Sequence, residues 1–359
     1  MLRKCLKFII LALRREASGS AYSKNREMTE ENRKFKLIPA EEFAEMLRAK
    51  RLAGIDFSGE NLEGVDFSGC TLDRVSFKGC TLTHCRFRKA VILWSDFRYC
   101  EIQHGTFEEA VIDFCDFYRA FLDGVIIFNR CRISNTSLNK TYIGESALIR
   151  KDNLVGGKIL QQDRKNYARF LMDWHLYGTG VRTNDVGANS SWDPSQALKG
   201  RWAEAEEIIK GFSALWTGKG FIADGNWAYV QGRRMGRRRM LRELADPTFP
   251  LLRKVANIWH IITNIFSDLL FGYGESMFKM VMTYIITVFF FAWAFSSNIG
   301  ILQYGQAVII SLKNMVGMDS EMIQGVSPLV DMLNVVQTTV GILLTGIFGF
   351  ILGNKIRNQ

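Results

Sequence analysis

From Phe57 onward an apolar residue returns at every fifth position: Leu62, Phe67, Leu72, Phe77, Leu82, Phe87, Ile92, Phe97, Ile102, Phe107, Ile112, Phe117, Leu122 and Ile127. After one inserted residue the period resumes at Ile133, Leu138, Ile143 and Leu148. Two positions ahead of a centre the residue is usually small, as at Val65, Cys70, Val75, Cys80, Cys85, Ala90, Ser95, Cys100, Cys115, Ala120 and Cys131. A period of five fits neither the 3.6 of an α-helix nor the 2 of a strand, so residues 53–150 are a repeat architecture. The centres alternate Phe with Leu or Ile, so positions twenty apart match. Phe57, Phe77, Phe97 and Phe117 fall in one column, and Leu62, Leu82, Ile102 and Leu122 in another.

These pentads resemble the pentapeptide-repeat family. The resemblance implies a right-handed quadrilateral β-helix with four pentads per coil, the centre and the small residue both pointing inward. At about 4.8 Å between neighbouring strands, nearly five coils make a rod of roughly 23 Å. The insertion after Ile127 then reads as a bulge or small corner loop. Six of the seven cysteines occupy the small inward position and are expected to be reduced, buried hydrophobes rather than metal ligands or disulfide partners. His84 and His104 fall on outward positions. Some members of the family mimic DNA, which takes an acidic rod; residues 53–150 hold thirteen acidic and eleven basic side chains, and nucleic acid is not an expected partner.

Flanking the repeats, residues 1–52 form a basic amphipathic segment and cap. Phe8 to Leu13 is apolar, with Arg3, Lys4, Lys7, Arg14 and Arg15 on either side, too short to span a bilayer. Residues 151–250 form a helical linker or transducer. Trp202, Ala205, Ile208, Ile209, Phe212 and Leu215 have helical spacing, opposite Glu204, Glu206 and Glu207; the Gly-rich Thr217–Asn226 breaks that helix, and a second runs from Trp227 to about Leu244 as the return limb of a hairpin. The return limb carries Arg233, Arg234, Arg237, Arg238, Arg239 and Arg242, a candidate site for an anionic ligand, against the blander reading of a face near lipid headgroups.

Residues 251–359 read as a membrane module. Leu251, Val255, Ile258, Ile262, Ile265 and Leu269 form one stripe opposite Lys254, Asn257, Asn264 and Asp268, which suits an interfacial helix over 251–271. Residues 277–297 carry one charge, Lys279, and are long enough to cross a ~30 Å core; 329–354 form a second span. The segment 303–320 between them reads as a short helix followed by Met315-Val316-Gly317-Met318-Asp319. It resembles the pore loop of the potassium-channel superfamily, whose filter reads TVGYG. The resemblance implies a selectivity filter at Met315, Val316, Gly317, Met318 and Asp319, a gating hinge at Gly341, and a homotetramer. Met315, Met318 and Asp319 depart from the filter pattern, and Asp319 suggests a carboxylate ring at a widened mouth. Asn334, Gln337 and Thr338 share one helical face and are expected to line the pore.

The fold class is therefore mixed: a right-handed β-helix, a helical linker and an all-α two-span module. A net charge of +10 accords with cytoplasmic basic mass under the positive-inside rule, giving a multi-pass protein of the cell inner membrane with both termini cytoplasmic. The expected function is an oligomeric cation channel. Its partners are the bilayer, monovalent or divalent cations, further copies of itself, and a cytoplasmic protein or anionic ligand. The alternative is a membrane-anchored scaffold that binds a protein without conducting. No cofactor, metal site or nucleophile–base pair is evident, so no enzyme is expected.

Overall fold

The computed structural model describes residues 40–176, 194–299, 302–318 and 327–357. The chain divides into two compact units, residues 1–236 and 237–359.

The first unit is a β-solenoid of about five turns followed by helices. Short parallel strands stack in two sheets. One orders β1 (Arg51–Ala53), β2 (Thr71–Asp73), β4 (Val91–Leu93), β6 (Val111–Asp113) and β8 (Arg132–Ser134); the other orders β3 (Thr81–Thr83), β5 (Glu101–Gln103), β7 (Phe121–Asp123) and β9 (Tyr142–Ile143). Leu52 pairs with Leu72, and Leu72 with Ile92, so the repeat begins one pentad before Phe57. The Phe-centred faces hold single bridges instead of strands, such as Asp56 with Ser76 and Ser76 with Asp96. The chain turns two residues past each centre, where φ is positive. Glycine takes that corner at Gly54, Gly59 and Gly69, but Arg74, His84, Trp94 and Tyr99 take it as well, because the corner N–H groups are tied to the next coil, as Arg74 N–H is to the Leu93 carbonyl.

Inside the coil, Phe57, Phe77, Phe97 and Phe117 stack at 5.6, 4.9 and 4.6 Å, while Phe67, Phe87, Phe107 and Phe128 stack at 5.0, 4.8 and 5.2 Å. Each buried ring contributes on the order of 1.5–3 kcal/mol. The second column corrects the expected register. Ile127 lies outward and Phe128 takes the centre, with Ile126 buried two places before it. The extra residue therefore falls between Leu122 and Phe128, one pentad earlier than the sequence pattern suggests. A second extra residue lies between Ile143 and Ile149, so Leu148 points outward while Ala147 and Ile149 are buried. An Ile or Leu beside an equally apolar neighbour cannot fix register by itself; stacking on Phe107 does.

Both ends of the coil are capped. Phe43 of α1 (Ala40–Arg48) sits 5.0 Å from Phe57. At the other end α2 (Arg164–Leu176), α3 (Pro194–Gly218) and α4 (Ile222–Ala245) follow; Trp216 is fully buried and its indole donates to the Ile149 carbonyl at 2.9 Å. The hairpin of α3 and α4 agrees with the expected one, with a shorter break.

In the second unit the end of α4 is followed by α5 (Leu251–Phe271), α6 (Met277–Asn298), α7 (Tyr304–Met315) and α8 (Pro328–Arg357). Gly272 ends α5 at a φ of 54°, and a Cβ there would meet Ser276 at 2.7 Å, so this elbow requires glycine.

Candidate functional site

Met277–Asn298 and Pro328–Gly353 are long and apolar enough to cross a membrane. Between them α7 is held by buried polar groups. The Ser311 hydroxyl donates to the Val288 carbonyl at 2.8 Å. Gln337 Nε2 donates to the Ser311 carbonyl at 3.0 Å and also meets the Ser311 hydroxyl. Asn314 Nδ2 donates to Gln337 Oε1 at 3.1 Å. All three side chains are buried, and Val288 and Gln337 stand near the middle of the two apolar segments. Polar groups so far from water persist where they satisfy one another. The C-terminal end of α7 therefore stops halfway along its neighbours, beside Met315, which packs with Met280, Val288 and Leu344.

The expected site residues have the following surroundings. Gln337, expected on a pore-lining face, is fully buried within the chain and bonded to Ser311 and Asn314. Of its companions, the Thr338 hydroxyl donates to the Asn334 carbonyl at 2.9 Å, and Asn334 Oδ1 is buried with no hydrogen-bond partner among the described residues. A Cβ on Gly341 would lie 2.6 Å from the Cα and carbonyl oxygen of Met315. Close helix approach is what this glycine serves, and α8 runs through it without a break. Met315 to Met318 close α7 instead of extending: Gly317 has a φ of 74°, its N–H donates to the Asn314 carbonyl at 3.1 Å, and Met318 N–H donates to the Lys313 carbonyl at 2.9 Å. That is a Schellman cap, not the extended carbonyl-lined run that the TVGYG resemblance implies. Asp319 lies outside the described residues.

The coil presents a different chemistry. Cys80 Sγ donates to the Phe57 carbonyl and Cys85 Sγ to the Leu62 carbonyl, each at 2.8 Å. Burial pushes the Cys80, Cys85 and Cys131 thiols up to about 12, so they are inert small side chains. His84 and His104 stack outside the coil at 5.2 Å. Among the described residues no group of three or more His, Cys, Asp or Glu is placed to hold a metal ion.

A family model described as pentapeptide repeats (9 copies) matches residues 57–101. The chain carries pentapeptide repeats. Similar solved structures include HetL, a pentapeptide repeat protein involved in heterocyst differentiation regulation from the cyanobacterium Nostoc. It is 19% identical over 28% of this chain and 42% of that chain, with a TM-score of 0.26. A pentapeptide repeat protein from the Arabidopsis thaliana thylakoid lumen is 19% identical over 34% of this chain and 77% of that one, TM-score 0.18. One from the cyanobacterium Cyanothece is 11% identical over 31% and 95%, TM-score 0.17. The chain thus spans under half the length of the first of these. Comparison with curated proteins gives no match.

Beyond the pentapeptide repeats, the six arginines of α4 do not form one basic patch. Arg237 donates to Asp268 at 3.1 Å and to Asn264 at 3.4 Å, and Arg239 pairs with Glu243 at 2.5 Å. Arg233, Arg238 and Arg242 are exposed and Arg234 is half-buried. Glu243, one turn along the same helix, and Asp268, 31 residues beyond Arg237, claim part of the cluster; helical spacing reveals the first but not the second. The Ser311–Asn314–Gln337 lock was equally hidden, although the three-residue spacing of Ser311 and Asn314 on a short apolar helix was its one visible trace.

Proposed function

We propose that this chain is a multi-pass protein of the cell inner membrane with cytoplasmic termini. It assembles as a homotetramer around a path for monovalent or divalent cations, and its pentapeptide-repeat domain serves as a cytoplasmic sensor or scaffold. The observation that carries this reading is the locked helix α7, which enters between two apolar helices and ends near their midpoints. A hairpin anchor has no need of such a helix or of three buried amides and hydroxyls to hold it. A helix ending there brings the negative end of its dipole to mid-depth, which favours cations. One copy has too few helices to enclose a path, so several must share it. The Schellman closure of Met315–Met318 argues for conduction without potassium-type selectivity.

That same closure favours a second reading, a membrane-anchored scaffold that binds a protein and conducts nothing. Reconstitution of the full chain into liposomes with a cation-flux assay separates the two. Conduction predicts flux from wild type and at least a tenfold loss in Gln337→Leu, which releases α7. Absence of flux from correctly inserted oligomers would overturn conduction and leave the scaffold.

A further inference from the structure

Helix α5 has its polarity inside out. Asn257, Ile261, Asn264 and Asp268 form a buried stripe at helical spacing, Asn264 and Asp268 being only 3% and 8% exposed. On the opposite side Leu252 is 84%, Trp259 67% and Leu269 69% exposed, with Leu251, Val255 and Phe266 beside them. A helix surrounded by water turns the other way, apolar stripe inward. The medium on its outer side must therefore be apolar.

The polar side is held by two carboxylates. Asp268 accepts from Arg237, two turns before the end of α4, at 3.1 Å and from Lys279 of α6 at 3.0 Å; its backbone carbonyl accepts from Lys279 Nζ at 2.6 Å. Asn264 accepts from Tyr273 at 2.6 Å. One helical stretch earlier, Glu243 accepts from Arg239 at 2.5 Å, from Arg253 at 3.2 Å and from Asn257 at 3.0 Å. Burial raises the Glu243 carboxyl, but the hydrogen bonds from Asn257 and Arg239 and the charges of Arg239 and Arg253 outweigh it and hold it below the ordinary range. Both clamps grip the same side of α5, so the helix cannot roll.

We propose that the outer face of α5 is a lipid-docking surface, lying at the boundary between headgroups and acyl chains, and that Glu243 and Asp268 are positioning residues that aim it there. Lipid is the occupant because α5 leads through one short elbow into α6, whose own Phe278, Phe289 and Trp293 are exposed, so exposed apolar side chains on α5 are followed directly by those of a helix apolar enough to span a membrane. Trp259 suits the interface, where indoles concentrate. Four cations face two carboxylates in the clamps, leaving positive charge that suits headgroup phosphates. The inference rests on the membrane reading of α6 and not on conduction.

The test is nitroxide labelling at L252C, W259C and F266C, with Cys5→Ser removing the one cysteine outside the coil, in the full chain reconstituted into phosphatidylcholine–phosphatidylglycerol vesicles. Collision with oxygen, which partitions into lipid, is compared with collision with a water-soluble nickel chelate. An oxygen-to-nickel ratio at least fivefold above that of the exposed control K199C is expected at all three sites. A ratio equal to the control would overturn lipid docking, and spin–spin broadening with neither collision would assign the face to a second copy instead. Failure of the chain to float with vesicles would remove the membrane reading itself. In E243Q/D268N the ratio should fall at least twofold while flotation and helicity persist; an unchanged ratio would remove the positioning role. Should that double variant not fold, E243Q alone gives the same comparison.

Discussion

At the residue scale, chemistry follows from burial. Thiolate, not thiol, is the nucleophile, and with Cys80, Cys85 and Cys131 pushed up to about 12 these thiols should react with an aromatic disulfide reagent at pH 8 at least about a thousandfold more slowly than an unperturbed cysteine. Denaturation should restore ordinary rates, and absorbance of the released thiolate follows both. The glycines of α8 differ from one another in the same concrete way. Gly341 has no room for a Cβ, whereas Gly346 faces open space. Gly341→Ala should lower the stability of the solubilised protein by roughly 1–3 kcal/mol, while Gly346→Ala, in an exposed helix position, should be neutral or gain up to about 1 kcal/mol. Thermal melts of the two variants compare them directly. A gating hinge at Gly341 would instead leave the melt unchanged and alter only opening.

At the element scale, each coil of the solenoid packs on its neighbours through matched rings, so cost is set by position in the stack. Phe97 lies between Phe77 and Phe117 and is fully buried; Phe97→Ala should cost about 3–5 kcal/mol, read from chemical denaturation followed by far-UV circular dichroism. The clamp on α5 has a pH signature. The Glu243 carboxyl is depressed when folded, so its contribution is fully present above the ordinary value near 4.5 and is lost as pH falls through the lower folded value. The Trp259 emission of α5 should therefore shift on acidification below about pH 4.5 in wild type, and the step should be absent in Glu243→Gln.

At the scale of the whole molecule, the proposed conduction makes Asp319 informative even though it lies outside the described residues: a carboxylate ring predicts that Asp319→Asn lowers cation-over-anion preference, measured as a shift of reversal potential toward zero in planar bilayers. Much of the architecture was legible in the chain. A five-residue period unbroken from Phe57 to Leu122 points to one way of winding, because each of those centres must reach the same interior, and two long apolar runs with few charges can only be buried or placed in lipid. The helical hairpin and the stripe of α5 were legible for the same reason, since periodicity dictates which side chains share a face. What periodicity does not dictate is which partner a face meets. The register past Leu122 was settled by Phe128 stacking on Phe107, a contact 21 positions distant. Gln337 had the same local pattern as a lumen-facing residue, and only the arrival of Ser311 and Asn314 made it a lock. The close approach of Met315 to Gly341 is likewise absent from the local pattern. Local order is fixed by short-range sterics and repeats that every coil carries for itself; the roles of single polar groups are fixed by neighbours brought in from elsewhere in the chain, and that information exists only once the chain has folded.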